Sequence, residues 1–380
     1  MTRRDLLTAA GSAALLSPLA ALAATDSIPN PKGHLGLGGA PTGFGARNGG
    51  GRGAGGGRGA GGGAGRGAGA PGAAAAGGGR GAGRPFSDEF LDYCHSLGLG
   101  VAELGAPPSN PDDLRRLRDK MATYDMWVTF DIPLPRTADD VERYDAGVKA
   151  AKDAGGYDMH AALTQRRYEQ FDNMADFQKS FEQNRKSVAL AEPVLRKYKM
   201  RLALENHKGW TAVEQAAWLK SLGTEYVGVH FDFGNNVSLL EDPMVTLETL
   251  KPYIFSCHIK DMAVQPYEKG FLLSEVPMGD GFLDLKKMVD TLRAKNPEMP
   301  MDLEMITRDP LEIPIYTDKY WATFTDIPGK QVAHMMEIIL KNPPKKPLPK
   351  TTGLDAAARQ KQELDNNIAS IKYARQYLGL

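Results

Sequence analysis

Cysteine is nearly absent. Cys94 and Cys257, in 380 residues, are too few and too far apart for a disulfide framework or a cysteine-based zinc motif. Net charge is absent too: 46 basic side chains balance 46 acidic ones, so bulk electrostatics favour no polyanionic partner. Beyond residue 22 no run is apolar enough to span a bilayer. From Gly45 to Arg84 core-forming side chains are missing, and the chain is almost only Gly, Ala and Arg. Such a tract cannot offset its ordering entropy, so residues 45–85 read as a disordered insertion. Without aromatics to stack on bases, its arginines do not make a nucleic-acid platform.

The first 23 residues read as an export signal. Arg3 and Arg4 form a paired basic start, Leu6 to Leu22 is mildly apolar, and Ala21-Leu22-Ala23 fits a small-residue cleavage site. The pair favours the twin-arginine type. The expectation is an exported, periplasmic protein with no membrane segment in its mature form.

What the chain does contain is alternation. Short apolar strands are expected near residues 35, 102, 129, 160, 203, 229, 256 and 302, the first at His34–Gly39. Between them lie helical patterns, for example Asp88–Leu97, Thr137–Ala154, Met174–Lys199 with a kink at Pro193, and Thr211–Leu222. Asn110-Pro111 caps the helix that follows it. Eight βα units imply a parallel sheet closed as a (β/α)8 TIM barrel over residues 33–340. Residues 341–380 read as a Pro/Lys linker and a C-terminal helix, Ala356–Leu378. Met262–Gly279 reads as an irregular loop.

Three of these strands end in a metal-ligating or proton-moving side chain: Leu202-Ala203-Leu204-Glu205, Val227 to Asp232, and Phe255-Ser256-Cys257-His258. Met301-Asp302-Leu303-Glu304 repeats the pattern. The four polar ends lie 27, 26 and 46 positions apart, so they fall at equivalent places on four consecutive strands. An active site forms at the C-terminal ends of barrel strands. Three carboxylates and one imidazole gathered there need a cation. The set suits one divalent metal, Mn2+ foremost, with Mg2+ and Co2+ close to it and Zn2+ or Fe2+ left open.

Neighbouring residues supply the rest of the chemistry. Asn206, His207 and Asn235 are candidates to bind substrate oxygens, although Asn235 and Asn236 equally suit a turn. Lys260 points the same way as His258, to stabilise a developing enediolate or to pair with a ligand. Asp261 reads as an orienter of backbone. Glu103 and Trp210 are weaker candidates. His230, two residues before Asp232, reads as a core histidine. His34, His95, His160 and Arg308 give no separate signal.

Glu205-Asn206-His207, Asp232-Phe233-Gly234-Asn235, His258-Ile259-Lys260-Asp261, Gly279 to Asp284 and Glu304 together resemble the xylose isomerase-like TIM barrel superfamily of sugar isomerases and epimerases. The resemblance runs from about Gly33 to Leu340. It implies that Glu205, Asp232, His258 and Glu304 hold one metal. It further implies that Glu205 and Glu304 act as acid and base across a cis-enediol(ate). Lys260 would assist, and the substrate would be a small carbohydrate. An alternative is a lyase acting on keto-sugars or keto-glycosides with the same machinery. An apurinic endonuclease-like activity and a non-catalytic sugar-binding role are further alternatives. Asn235 stands where the endonucleases have a histidine. The terminal helix leaves room for homo-oligomer contacts.

Overall fold

A computed structural model describes residues 32–45 and 88–380. The expected export signal and the Gly/Ala/Arg tract beyond residue 45 lie outside the described residues. Eight parallel strands form a closed ring. In chain order they are β1 (Gly38–Gly39), β2 (Val101–Gly105), β3 (Trp127–Asp131), β4 (Asp158–Ala161), β5 (Leu202–Glu205), β6 (Val227–Asp232), β7 (Ile254–Ile259) and, after a two-stranded excursion (β8 and β9, below), β10 (Met301–Leu303). Each strand neighbours the next in the ring, and β10 pairs with β1 to close it. The fold is the expected (β/α)8 TIM barrel.

The strands alternate as a barrel demands. Outward residues such as Val128, Phe130, Met159, Leu204, Val229, Cys257, Ile259 and Leu303 join the main hydrophobic core with the surrounding helices. Those helices start where local chemistry permits. Asn110 accepts from the Asp112 amide at 2.8 Å ahead of Pro111–Tyr124. Thr211 and Glu214 form a reciprocal capping box at Ala212–Leu222. Met174–Tyr198 remains one helix through Pro193.

The barrel interior is polar, where branched aliphatic layers are the usual filling. Asp158 accepts from Thr129 Oγ1 at 2.8 Å and from Ser256 Oγ at 2.7 Å. The Ser256 hydroxyl also contacts His230 Nδ1 at 2.8 Å. Asp302 is fully buried with no hydrogen-bond partner for either carboxylate oxygen. Burial pushes its carboxyl up to about 8, so it is mostly protonated at neutral pH.

Two local differences from the sequence reading stand out. Gly33–Leu35 is a 3-10 turn, and the first strand is cut to Gly38–Gly39. Glycines there let the ring close tightly: a Cβ on Gly38 would come 2.0 Å from Asp302 Oδ1. Met262–Gly279 is not irregular, because β8 (Asp261–Tyr267) and β9 (Gly270–Val276) form an antiparallel hairpin, joined by β11 (Leu311–Ile313). This small sheet has its own core, including Val264, Phe271, Leu273, Ile313 and Tyr320, against the helix Gly329–Lys341.

The C-terminal helix, Ala356–Tyr373, ends in a π-turn at Ala374–Leu378. It is built into the barrel: Ile371, Ala374, Leu378 and Leu380 belong to the main core. Buried Asn367 donates to the Gly43 carbonyl at 2.8 Å, and Asn366 reaches Thr307 at 2.9 Å. Among the described residues no helix is long and apolar enough to cross a membrane.

Candidate active site

Register explains the site. Glu205 lies beside His230 across β5 and β6, Asp232 beside His258 across β6 and β7, and His258 beside Asp302 across β7 and β10. Residues two apart share a face, so the C-terminal inward positions of these strands are Glu205, Asp232, His258 and Glu304. One ligand atom from each of the four lies within 4.8 Å of all the others, and all four residues are buried.

Each of these side chains is held by named partners. Asp232 Oδ1 accepts from the backbone amides of Gly234 and Asn235 at 2.9 and 2.8 Å, leaving Oδ2 for the centre. Glu304 Oε1 accepts from Thr42 Oγ1 at 2.6 Å, which turns Oε2 inward. That oxygen lies 3.5 Å from His258 Nδ1. His258 Nε2 contacts Glu103 Oε2 at 3.0 Å, while its Nδ1 has no hydrogen-bond partner. Glu205 Oε2 contacts His160 Nε2 at 3.1 Å, and Oε1 accepts from Asn235 Nδ2 at 2.8 Å. Lys260 Nζ lies 2.5 Å from Asp232 Oδ2 and 2.6 Å from Glu304 Oε2, on the two inward-facing oxygens.

The electrostatics follow from this crowding. Burial opposes the charge of Glu304, but Lys260 and His258 more than offset it and hold the carboxyl well below its usual range. Burial, opposed by Lys260 but reinforced by Glu205 and Glu304, pushes Asp232 up. Burial would lower His258, yet Glu304, Glu103 and Glu205 lift it to about 10. Burial likewise works against the charge of Glu205, which His207, His160 and His258 outweigh so that it stays well below normal. His207 is itself pushed down to about 4 by burial and is neutral at pH 7, so the charges that act on Glu205 there are those of His160 and His258.

The donor set fits a divalent cation. It offers three carboxylates and an imidazole whose inward nitrogen lacks a partner, and the opposite nitrogen is fixed by a carboxylate, as in metal-bound histidines generally. The Lys260 ammonium already stands on two of the inward oxygens, marking where positive charge is required.

The other sequence candidates divide. Asn235 sits within the cluster. Its carboxamide is oriented on both sides, with Nδ2 on Glu205 and Oδ1 accepting from Lys208 Nζ. Asn206 lies at the rim, but its carboxamide ties strands together: Oδ1 accepts from the Asp232 amide at 2.6 Å and Nδ2 donates to the Asp232 carbonyl at 2.9 Å. His207 is buried, and its Nδ1 has no hydrogen-bond partner. Asn236 bonds Asn206 and Glu241. Asp261 accepts from the amides of Met262, Gly279, Gly281 and Leu283, anchoring the segment after the hairpin. Trp210 packs edge-on against Trp218 in the outer core, with ring centres 4.9 Å apart. His230 lies one layer deeper, on Ser256.

Sequence reasoning missed Thr42, His160 and Lys208. Thr42 sits in a Gly-rich stretch with no periodicity. His160 had a signal, because Asp158-x-His160 repeats the polar i, i+2 spacing of His230-x-Asp232, Ser256-x-His258 and Asp302-x-Glu304. A surface cavity of about 750 Å3 lies between Lys32, Tyr124, Arg293 and Leu378, away from this chemistry.

A family model described as a xylose isomerase-like TIM barrel matches residues 91–324. Among solved structures, the chain is similar to a D-psicose 3-epimerase from Clostridium cellulolyticum H10 solved with D-tagatose, at 12% identity and TM-score 0.48, over 77% of this chain and 93% of that one. A xylose isomerase domain protein from Planctomyces limnophilus gives 15% identity and TM-score 0.44, over 66% and 90%. A 3-keto-D-glucoside 4-epimerase from E. coli gives 13% identity and TM-score 0.45, over 67% and 95%. No curated protein sequence matches the chain.

Proposed function

We propose that this chain, which belongs to the xylose isomerase-like TIM barrel family, is a divalent-metal-dependent enzyme that isomerises or epimerises a sugar or sugar derivative. The reaction is proton transfer at a carbon next to a carbonyl, through a cis-enediol(ate). The observation that carries this reading is the convergence of Glu205, Asp232, His258 and Glu304 within 4.8 Å of one another at the C-terminal rim.

Glu205, Asp232, His258 and Glu304 would hold the ion. When bound, it supplies a Lewis acid that polarises a substrate carbonyl and the adjacent hydroxyl. Glu205 and Glu304 are the proton movers. Each has one oxygen committed to a fixed donor and a second oxygen facing other charged groups of the cluster, so neither carboxylate is free to turn. A base fixed in this way abstracts a proton without first reorganising. Glu304 is kept ionised by Lys260 and His258, as a base must be. Lys260 places a positive charge beside developing oxyanion charge. Asn235, its amide set by Lys208 and Glu205, and His207, neutral at pH 7, offer hydrogen bonds to substrate hydroxyls. Asp232 and His258 need only hold the ion.

The test is incubation of metal-loaded protein with a panel of unphosphorylated and oxidised sugars in D2O. NMR follows solvent deuterium entering carbon positions. Incorporation beside a carbonyl is expected for at least one member. Absence of both incorporation and product across the panel would sink the reading.

A further inference from the structure

We infer that Asn367, in the C-terminal helix, is a positioning residue for the proton-moving carboxylate of Glu304. The inference rests on the proposed function, in which Glu304 belongs to the quartet Glu205, Asp232, His258 and Glu304.

Asn367 acts through one turn. The 3-10 turn Pro41–Phe44 follows β1 and carries Thr42, whose Oγ1 donates to Glu304 Oε1 at 2.6 Å. The next residue, Gly43, gives its carbonyl to Asn367 Nδ2 at 2.8 Å. The same glycine packs on the backbone of Glu304 itself: a Cβ there would come 3.1 Å from the Met305 nitrogen and 3.4 Å from Glu304 Cα. The turn is therefore bonded to the Glu304 side chain, seated on the Glu304 backbone and tied to the helix. A hydroxyl holds a carboxylate in one rotation only if the turn that carries the hydroxyl is itself held.

The burial of Asn367 fits this task. Its side chain is fully buried, yet its Oδ1 has no hydrogen-bond partner, so the carboxamide is kept for what Nδ2 donates. The second bond of Nδ2, to the Glu363 carbonyl at 3.0 Å, orients the amide along the helix. A buried carboxamide with one end unsatisfied opposes stability. An apolar residue would instead extend the core that Ile371 and Ala374 join. The extension also grips the chain just beyond Glu304. Asn366 Nδ2 donates to Thr307 Oγ1 at 2.9 Å, and Asp309 accepts from the amides of Thr351 and Thr352. Thr42 and the extension both lie outside residues 91–324, the stretch that the family model matches.

The test is a double-variant cycle on the full chain, with Thr42→Val and Asn367→Leu. One readout is deuterium exchange into the sugar identified from the panel, at saturating Mn2+. The other is Mn2+ affinity, by competition with a chelator. A cooperative melting transition checks that each variant is folded, and Asn367→Ala replaces the leucine variant if that one is not. Each single variant is expected to lower kcat by roughly 10–100-fold with KM little changed. The double variant should lose no more than Thr42→Val alone, because both substitutions break one chain of contacts. A purely structural role would lower the melting temperature and give losses that multiply. Unchanged kcat in Asn367→Leu, or multiplying losses, overturns the inference and leaves the proposed function standing. If the unaltered protein exchanges nothing, the proposed function fails and Mn2+ affinity decides for Asn367. Weakening in Asn367→Leu that vanishes on the Thr42→Val background upholds its hold on Glu304, and unchanged affinity overturns it. Neither exchange nor Mn2+ binding sinks both readings.

Discussion

The two halves of the barrel rim use the same kinds of side chain for different ends. On β5, β6, β7 and β10, Glu205, Asp232, His258 and Glu304 converge on one centre. On the β1–β4 side the polar residues reach across and hold that first group: Thr42 on Glu304, Glu103 on His258, His160 on Glu205. One half presents the proposed ligands and the other fixes their orientation. A carboxylate or imidazole that can rotate must be ordered at the moment of binding, and side-chain ordering carries an entropic cost. Placing the restraints on the facing strands removes that cost beforehand.

The contrast can be broken residue by residue. The largest effect is expected for Glu304→Gln. Loss of a general base lowers turnover by roughly 10²–10⁴-fold, while metal is retained through the remaining ligands. Deuterium exchange paired with metal analysis checks this; loss of metal together with activity would make Glu304 a holding residue only.

Asp302 stands at the seam of the two halves and gives the next effect. Its carboxyl is raised from 3.8 to about 8 in the folded chain. Between those values the unfolded chain has released the proton and the folded chain has kept it. Stability from this group is therefore fully present below about pH 4 and declines through pH 8, by at most about 1.4 kcal/mol per pH unit. In Asp302→Asn that decline is absent. Urea unfolding of metal-free protein at pH 5 and pH 8 should show the variant gaining on the unaltered chain as pH rises. A constant difference would refute the shift.

Glu103→Gln tests the division of labour itself. Loss of a carboxylate behind a metal-bound histidine typically weakens metal affinity by about 10–100-fold. Competition against a fluorescent chelator measures this for the quartet ion, and an unchanged affinity would mean that the β1–β4 half does not hold the other. Lys260→Met should act in the opposite direction. The ammonium lies on Asp232 and Glu304, the oxygens an ion needs. Its removal should tighten binding by about tenfold, or ~1.4 kcal/mol, and lower the melting temperature of the metal-free protein. Weaker binding would show that Lys260 helps to assemble the site.

The converging half was legible because each of its strands is an apolar run that ends in a carboxylate or imidazole, spaced by one βα unit or by one unit plus an insertion. The holding half was not. β1 is only Gly38–Gly39, and Thr42 follows it in a turn with no repeat to reveal it. Glu103 and His160 lie on strands with the same inward alternation, but their function depends on partners 155 and 45 positions away, a relation that strand spacing cannot express. The hairpin at Asp261–Val276 was hidden by Pro266 and by Gly270, which mark a turn and mask the alternation on either side. Asn367 was unreadable for a similar reason: it is one polar residue in a helix whose partner is the Gly43 carbonyl.

That last contact bears on how the chain folds. The ring closes through a two-residue ladder, Gly38–Gly39 against Asp302–Leu303, and the bond from Asn367 to Gly43 spans 324 positions. Contacts so distant in sequence form late, after the loop-closure entropy has been met by other interactions. Until then β10 and β2 present open edges, the feature that makes partly folded sheets prone to aggregate. The C-terminal helix, bonded to the Gly43 carbonyl and packed in the main core, braces the turn that follows β1, the strand that covers both edges.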